Sequence, residues 1–238
     1  MIEAMAMTEA GMLGDVERLR VTSQNLANSG TIGFKREIAL MHPGFETALQ
    51  ASVGSAQALP STTTAIDYKG GTLRLSGSPL DLAIEGDGFF VLAGPSGPVY
   101  SRQGNFQLDQ KGRLVSAAGL AVMGDGGEIV LPNAEPRIDR QGNVWDGQNA
   151  IARMRIVQFA APGRLEALGS GMFSAGNESA VPIDTVNVRQ GFVEVSNVTA
   201  MHEMVKLIEI MRHFETSQRL LKGYDAMNGI ALSTLGSL

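Results

Sequence analysis

Apolar positions change period twice along this chain. From about Ile2 to Asn28 they recur at helical spacing without a proline: Met5, Met12, Leu19 and Leu26 stand seven apart, and Ile2 and Val16 lie three residues before Met5 and Leu19. Residues three, four and seven apart share one face of an α-helix, so the pattern predicts an amphipathic helix with a heptad-like seam. Glu9 and Ser23 fall where that seam calls for apolar side chains, and Asn28-Ser29-Gly30 supplies a stop. A second helical stretch runs from about Asn197 to Leu235. There Leu207, Ile210, Phe214, Ser217, Leu221, Tyr224, Asn228, Ala231 and Leu235 alternate by three and four, with only Ser217 and Asn228 interrupting the apolar run. A neighbouring stripe of Met201, Met204, Val205, Ile208 and Met211 widens the face beyond what one partner helix covers.

The middle of the chain alternates by two. Leu80, Leu82 and Ile84 interleave with Asp81, Ala83 and Glu85, which predicts a half-buried strand, and Glu85-Gly86-Asp87-Gly88 turns it into Phe89-Phe90-Val91-Leu92. Asp109-Gln110-Lys111-Gly112 and Asp139-Arg140-Gln141-Gly142 repeat one turn signature, in which Asp accepts local backbone N–H bonds and Gly takes the left-handed conformation. Phe106-Gln107-Leu108 and Arg137-Ile138 lead into these turns; Arg113-Leu114-Val115 and Asn143-Val144-Trp145 lead out. The region is therefore a set of hairpins, expected to fold by itself. Val53-Gly54-Ser55-Ala56 and Ser61-Thr62-Thr63-Thr64 are small and polar with no periodic face.

These patterns predict an α+β fold in which N- and C-terminal helices form a coiled-coil-like assembly domain around a central antiparallel β-rich domain. The expected divisions are an N-terminal helix over 1–30, a connector over 31–70, a β-rich domain over 71–192 and a C-terminal helix over 193–238. The plainer alternative is a two-helix hairpin packed on its own domain.

Composition narrows the function classes. An apolar content of 44% is globular, while 29 glycines and 5% aromatics fit many turns and a modest core. The net charge is −5 and no basic run exists, which argues against nucleic acid. With no cysteine there is no disulfide and no thiolate zinc site. Met1-Ile2-Glu3-Ala4-Met5 has neither a basic start nor a continuous apolar stretch, so no cleaved secretory signal is expected. No run approaches 18 apolar residues, so no membrane insertion is expected.

Candidate chemistry is thin. The strongest enzyme reading is a wall-cutting glycosidase using Asp81 and Glu85. Four residues along one strand place them roughly 13 Å apart, beyond the roughly 5–9.5 Å such pairs need, so solvated or strand-edge roles fit better. His202 and His213 share a helix about 16 Å apart, too far for one ion, and His42 lies elsewhere. Gly86-Asp87-Gly88 begins a dinucleotide-type pattern that Val91 breaks, and Gly169-Ser170-Gly171 lacks nucleophile-elbow spacing. No catalytic activity, metal or cofactor is expected. Apolar stripes on both ends instead mark an assembly surface, and a heterologous contact that does not close generates a helical filament. A coiled-coil adhesin or phage-tail-like protein would share these helices and the β body.

Four motifs in order carry a resemblance. They are Asn25-Leu26-Ala27-Asn28 with Thr31 and Gly33-Phe34-Lys35-Arg36; Gly77-Ser78-Pro79-Leu80-Asp81-Leu82-Ala83-Ile84-Glu85-Gly86-Asp87-Gly88-Phe89-Phe90; Tyr100-Ser101-Arg102-Gln103-Gly104-Asn105-Phe106 with Asp109 to Leu114; and Gln190-Gly191-Phe192-Val193-Glu194-Val195-Ser196-Asn197-Val198 with Glu203-Met204-Val205 and Arg212-His213-Phe214-Glu215. Together they span nearly the whole chain, which resembles the flagellar rod and hook protein family, most closely its rod members. The short connector argues against the hook type. The resemblance implies a structural subunit of the periplasmic rod in the flagellar basal body. It implies export by the flagellar type III apparatus without a cleaved signal, and stacking with copies of itself and with other rod subunits through paired terminal helices. The interface residues it implies are Met5, Met12, Leu19, Leu26, Asn28, Gly33, Phe34, Leu207, Ile210, Phe214, Leu221, Tyr224 and Leu235. Gly33 is expected at positive φ, and Phe34 is expected to anchor the turn near Val198 to Met204.

Overall fold

The computed structural model describes residues 2–41, 62–133, 136–183 and 185–235; His42, Val53–Ala56 and Ser61 lie outside them. Helix α1 spans Ile2–Ala27 and helix α2 spans Ala200–Leu235, with nineteen short strands between them among the described residues. The chain therefore has an α+β fold with helices at both ends and a β-rich middle.

Two units result. One takes residues 1–27, 37–66 and 199–238; the other takes 28–36 and 67–198. In the first, α1 packs along α2. The same unit holds an antiparallel ladder of Glu37–Met41 on Thr62–Ile66, within the stretch whose sequence shows no periodic face. Three consecutive β-branched threonines suit a pleated ribbon even without an apolar alternation.

The β unit is built on a six-stranded antiparallel sheet. The hairpin Phe89–Gly94 and Gly97–Ser101 lies at its centre. Met172–Ser174 and then Glu166–Gly169 extend one side, and Ile156–Gln158 and then Val181–Pro182 extend the other. Successive side chains in a strand face opposite ways. Phe90 and Leu92 accordingly enter the main core with Leu82, Leu114, Val122, Ile129 and Val144. Phe89 meets Tyr68, Phe159 and Phe173 edge-to-face at 5.7–5.9 Å on the opposite side. Leu82–Ile84 differs from the half-buried strand expected: Ala83 is as inaccessible as its apolar neighbours. The strand pairs with Val188–Gln190, Ala83 opposite Arg189, and both of its faces are buried.

The repeated turns form as the sequence predicts. Asp109 Oδ1 accepts from the N–H of Lys111 and Arg113 at 2.8 Å, and Asp139 Oδ1 accepts from Gln141 and Asn143 at 3.0 and 2.9 Å. The fourth residues, Gly112 and Gly142, have φ of 73° and 80°. In both turns that glycine's carbonyl accepts the N–H of a later segment, Leu131 or Met154, at 2.8 Å. Hydrogen bonds from Arg113 hold the Asp109 carboxyl below the usual range. Burial would raise Asp139, but bonds from Asn143 and from the indole of Trp145 outweigh it.

Candidate functional site

The helix pair is the first candidate. On α2 the expected seam is the face turned inward: Leu207, Ile210, Phe214, Leu221 and Tyr224 are half-buried and Ser217 is buried. On α1 the picture differs. Met12, Leu19 and Leu26 are half-buried, but Val16 is 50% exposed, and Glu9 and Ser23 are exposed. The buried positions lie one or two residues earlier: Asp15, Thr22 and Asn25 one before the expected positions 16, 23 and 26, and Gly14 and Val21 two before 16 and 23. Apart from Val21 these are small or polar side chains, and the long apolar ones are half-buried beside them. The side chains of Met5 and Leu235, like those of Asn228 and Ala231, lie outside the described residues.

Two of those polar residues have evident work. Asn25 Nδ2 donates to the Glu37 carbonyl and its Oδ1 accepts the Glu37 N–H, both at 2.8 Å, so one side-chain amide replaces a ladder neighbour. Asp15 meets Arg18 at 3.3 Å and, across the pair, His213 Nδ1. The second stripe of α2 faces away from α1. Met201, Met204, Val205, Ile208 and Met211 are 48–75% exposed, as are Leu13 and Val16 of α1 at 57% and 50%.

The second candidate lies within the β unit, where residues 28–36 run beside residues 189–198. Gly33 donates its N–H to the Glu194 carbonyl at 2.8 Å and has φ of 66°, as expected. A Cβ there would stand 2.6 Å from the Arg102 backbone, so glycine is required twice over. Phe34 is buried, and its carbonyl accepts from Asn197 N at 3.4 Å. Asn28 accepts from the Thr31 N–H and hydroxyl, both at 3.1 Å, closing the turn. Asn197 then binds three backbones: its Oδ1 takes the Arg36 N–H at 2.7 Å, and its Nδ2 donates to the Asp67 and Lys69 carbonyls.

Beneath this turn sits an ion cluster. Lys35 Nζ donates to Glu194 Oε1 at 2.6 Å and to the Lys69 carbonyl at 2.8 Å, and Gly71 N–H donates to the same Oε1 at 2.8 Å. Arg102 Nη1 stands 3.6 Å from Glu194 Oε2. The three side chains are 1–3% exposed. Burial lowers the Lys35 ammonium below the usual lysine range, against the pull of Glu194. Burial likewise lowers Arg102. In the sequence all three residues stand out only as members of the four motifs. The available signal was their charge within otherwise apolar or turn-forming stretches.

Of the enzyme candidates, the Glu85 carboxylate accepts from Asn187 at 2.7 Å and Arg189 at 3.0 Å, while Asp81 makes a backbone β-bridge with Asn105. Among the described residues no group of three His, Asp or Glu is placed to hold a metal, and no helix is long and apolar enough to cross a membrane.

Comparison with known proteins agrees with the motifs. Residues 83–145 match the flagellar hook protein FlgE/F/G D1 domain, and residues 189–234 match the flagellar basal body rod FlgEFG protein C-terminal family. The chain is 32% identical to the flagellar basal-body rod protein FlgG of Buchnera aphidicola (Schizaphis graminum), covering 95% of this chain and 97% of the relative. It is 30% identical to the FlgF protein of Mesorhizobium japonicum and 33% identical to that of Rhizobium meliloti, covering 92% of both chains in each case. The FlgF and FlgG relatives stand at similar distances, and none supports the glycosidase or the adhesin reading. With these identities over nearly its whole length, the chain belongs to the flagellar basal-body rod protein family.

Proposed function

We propose that this rod protein works by assembly rather than catalysis, stacking with copies of itself and with other rod subunits into a helical drive shaft. The carrying observation is the stripe Met201, Met204, Val205, Ile208 and Met211, left 48–75% exposed while the neighbouring seam packs on α1. Burying that stripe between subunits would return roughly 25 cal/mol per Å² of apolar surface, and methionine adapts to neighbours that are not equivalent. A coiled-coil-like pairing of the helices carries the stacking. Passage to the periplasm through the flagellar type III apparatus completes this reading.

The test separates the two faces of α2. Met204→Asp or Ile208→Asp spares the seam with α1, so the subunit folds and is exported but no rod forms. Leu207→Asp places a charge on the seam itself and also weakens the helix pair. Wild-type swimming and complete hook-basal bodies in the Met204→Asp and Ile208→Asp strains would refute the assembly role of the exposed stripe.

A further inference from the structure

The apolar seam does not account for Asp15. Its side chain is 2% exposed, at a depth where a carboxylate is costlier to hold than an apolar side chain of similar volume. One partner is local, Arg18 on the next turn at 3.3 Å. The other is His213, 198 residues away in sequence, whose Nδ1–H donates to Asp15 Oδ2. Around this pair the apolar pattern is nearly periodic. Leu207, Phe214 and Leu221 recur every seven residues on α2, as do Met12, Leu19 and Leu26 on α1. Packing alone therefore distinguishes poorly between pairings slid by one heptad, about 10 Å at 1.5 Å per residue. The carboxylate does distinguish them. One slip puts Leu220 in place of His213, leaving Asp15 without its cross-helix donor. The other brings Lys206, which would have to leave Glu203, now 3.3 Å away. A single buried polar contact that selects one register at a cost in stability is an established use of such groups in paired helices.

We propose that Asp15, held by His213, fixes the register in which α1 and α2 pair. The two are positioning residues, and the proposal concerns pairing within one chain, independent of rod assembly.

The absence of cysteine allows a direct test on the full-length chain. Spin labels on cysteines replacing Glu9 and His202, both exposed and one on each helix, report an axial slide of one helix along the other. The unaltered seam gives one narrow distance peak, and Asp15→Asn, which still accepts from His213, keeps it. Asp15→Leu adds a second peak displaced by about 5–10 Å, one to two helical turns, with helix content by circular dichroism unchanged. A single undisplaced peak in Asp15→Leu overturns the proposal, as does a distribution for the unaltered seam as broad as that of Asp15→Leu. His213→Leu removes the partner from an exposed position and decides the case if Asp15→Leu loses helix: a second peak supports the proposal, and a single undisplaced one overturns it.

Discussion

Glu194→Gln removes the carboxylate that the Lys35 ammonium and the Arg102 guanidinium share, leaving two buried cations with only the weaker pull of Asp67 on Lys35 and of Asp87 on Arg102 among the described residues. Breaking a buried pair in this way costs about 3–5 kcal/mol. The exposed pair Arg189–Glu85, with both side chains 44% exposed, contributes at most about 1 kcal/mol. Against a typical domain stability of about 5–15 kcal/mol, loss of Glu194 is the larger event by far. Lys35→Met should cost less than Glu194→Gln. It deletes one of two cations, and Glu194 keeps Gly71 N–H at 2.8 Å and Arg102 at 3.6 Å. The double variant should then fall short of the sum of the singles by about 1–3 kcal/mol, because the second change removes a charge the first had stranded. Urea melts of the full-length chain at constant slope measure all four corners of the cycle. Single-variant losses under about 1 kcal/mol that add without coupling would show a hydrated, weak cluster and refute the reasoning. The cluster also carries a pH signature. The folded pKa of Lys35 lies below its unfolded value of 10.5, so the unfolded chain holds its proton longer. Stability should therefore rise with pH across the window just below 10.5, more steeply in the wild type than in Lys35→Met.

Three further outcomes are expected. Gly33→Val places a β-branched residue at φ 66° against the Arg102 backbone, adding about 1–3 kcal/mol of backbone strain before the clash is counted; Phe34→Ala should cost about 3–5 kcal/mol. Counts of complete hook-basal bodies, with exported subunit quantified, should fall for both, and wild-type counts would show a turn without an assembly role. Burial pushes the Tyr68 phenol up to about 12, so one of the three tyrosines should ionise last and vanish from the tyrosinate absorbance titration in Tyr68→Phe. Because that folded value lies above the unfolded 10.0, Tyr68 contributes stability below pH 10 that is lost as pH rises towards 12. Finally, residues 28–198 should melt cooperatively, whereas 71–192, which lacks Lys35 and Glu194 and strands Arg102, should melt at lower denaturant or without cooperativity.

What the sequence reveals here is what local rules determine. The two Asp-x-x-Gly turns form because the bonds that close them, from the N–H groups two and four residues on to the Asp Oδ1, lie within five residues. The α2 seam faces inward because its apolar residues hold one period over several heptads. Gly33 takes positive φ as its place after a helix stop demands. Where partners come from far along the chain, the pattern is silent or misleads. The α1 seam shifts by one residue because Asp15 and Asn25 are satisfied by His213 and Glu37, which hydropathy cannot see. Lys35 and Glu194 are 159 residues apart, and nothing local marks either as buried. Ala83 is inaccessible on a strand that alternates like a half-exposed one, because burial of its second face depends on segments that the local pattern does not contain.

The twin turns at Asp109 and Asp139 stand thirty residues apart and place the same groups in the same bonds, down to the glycine carbonyl that receives a later strand. One local geometry thus seats two later segments, so each turn couples the closure of its own hairpin to the docking of a strand that comes afterwards in the chain. The ion cluster and the Asn197 clamp share no residue with either turn, so a substitution in a turn perturbs hairpin closure and docking without removing a group that seats residues 28–36.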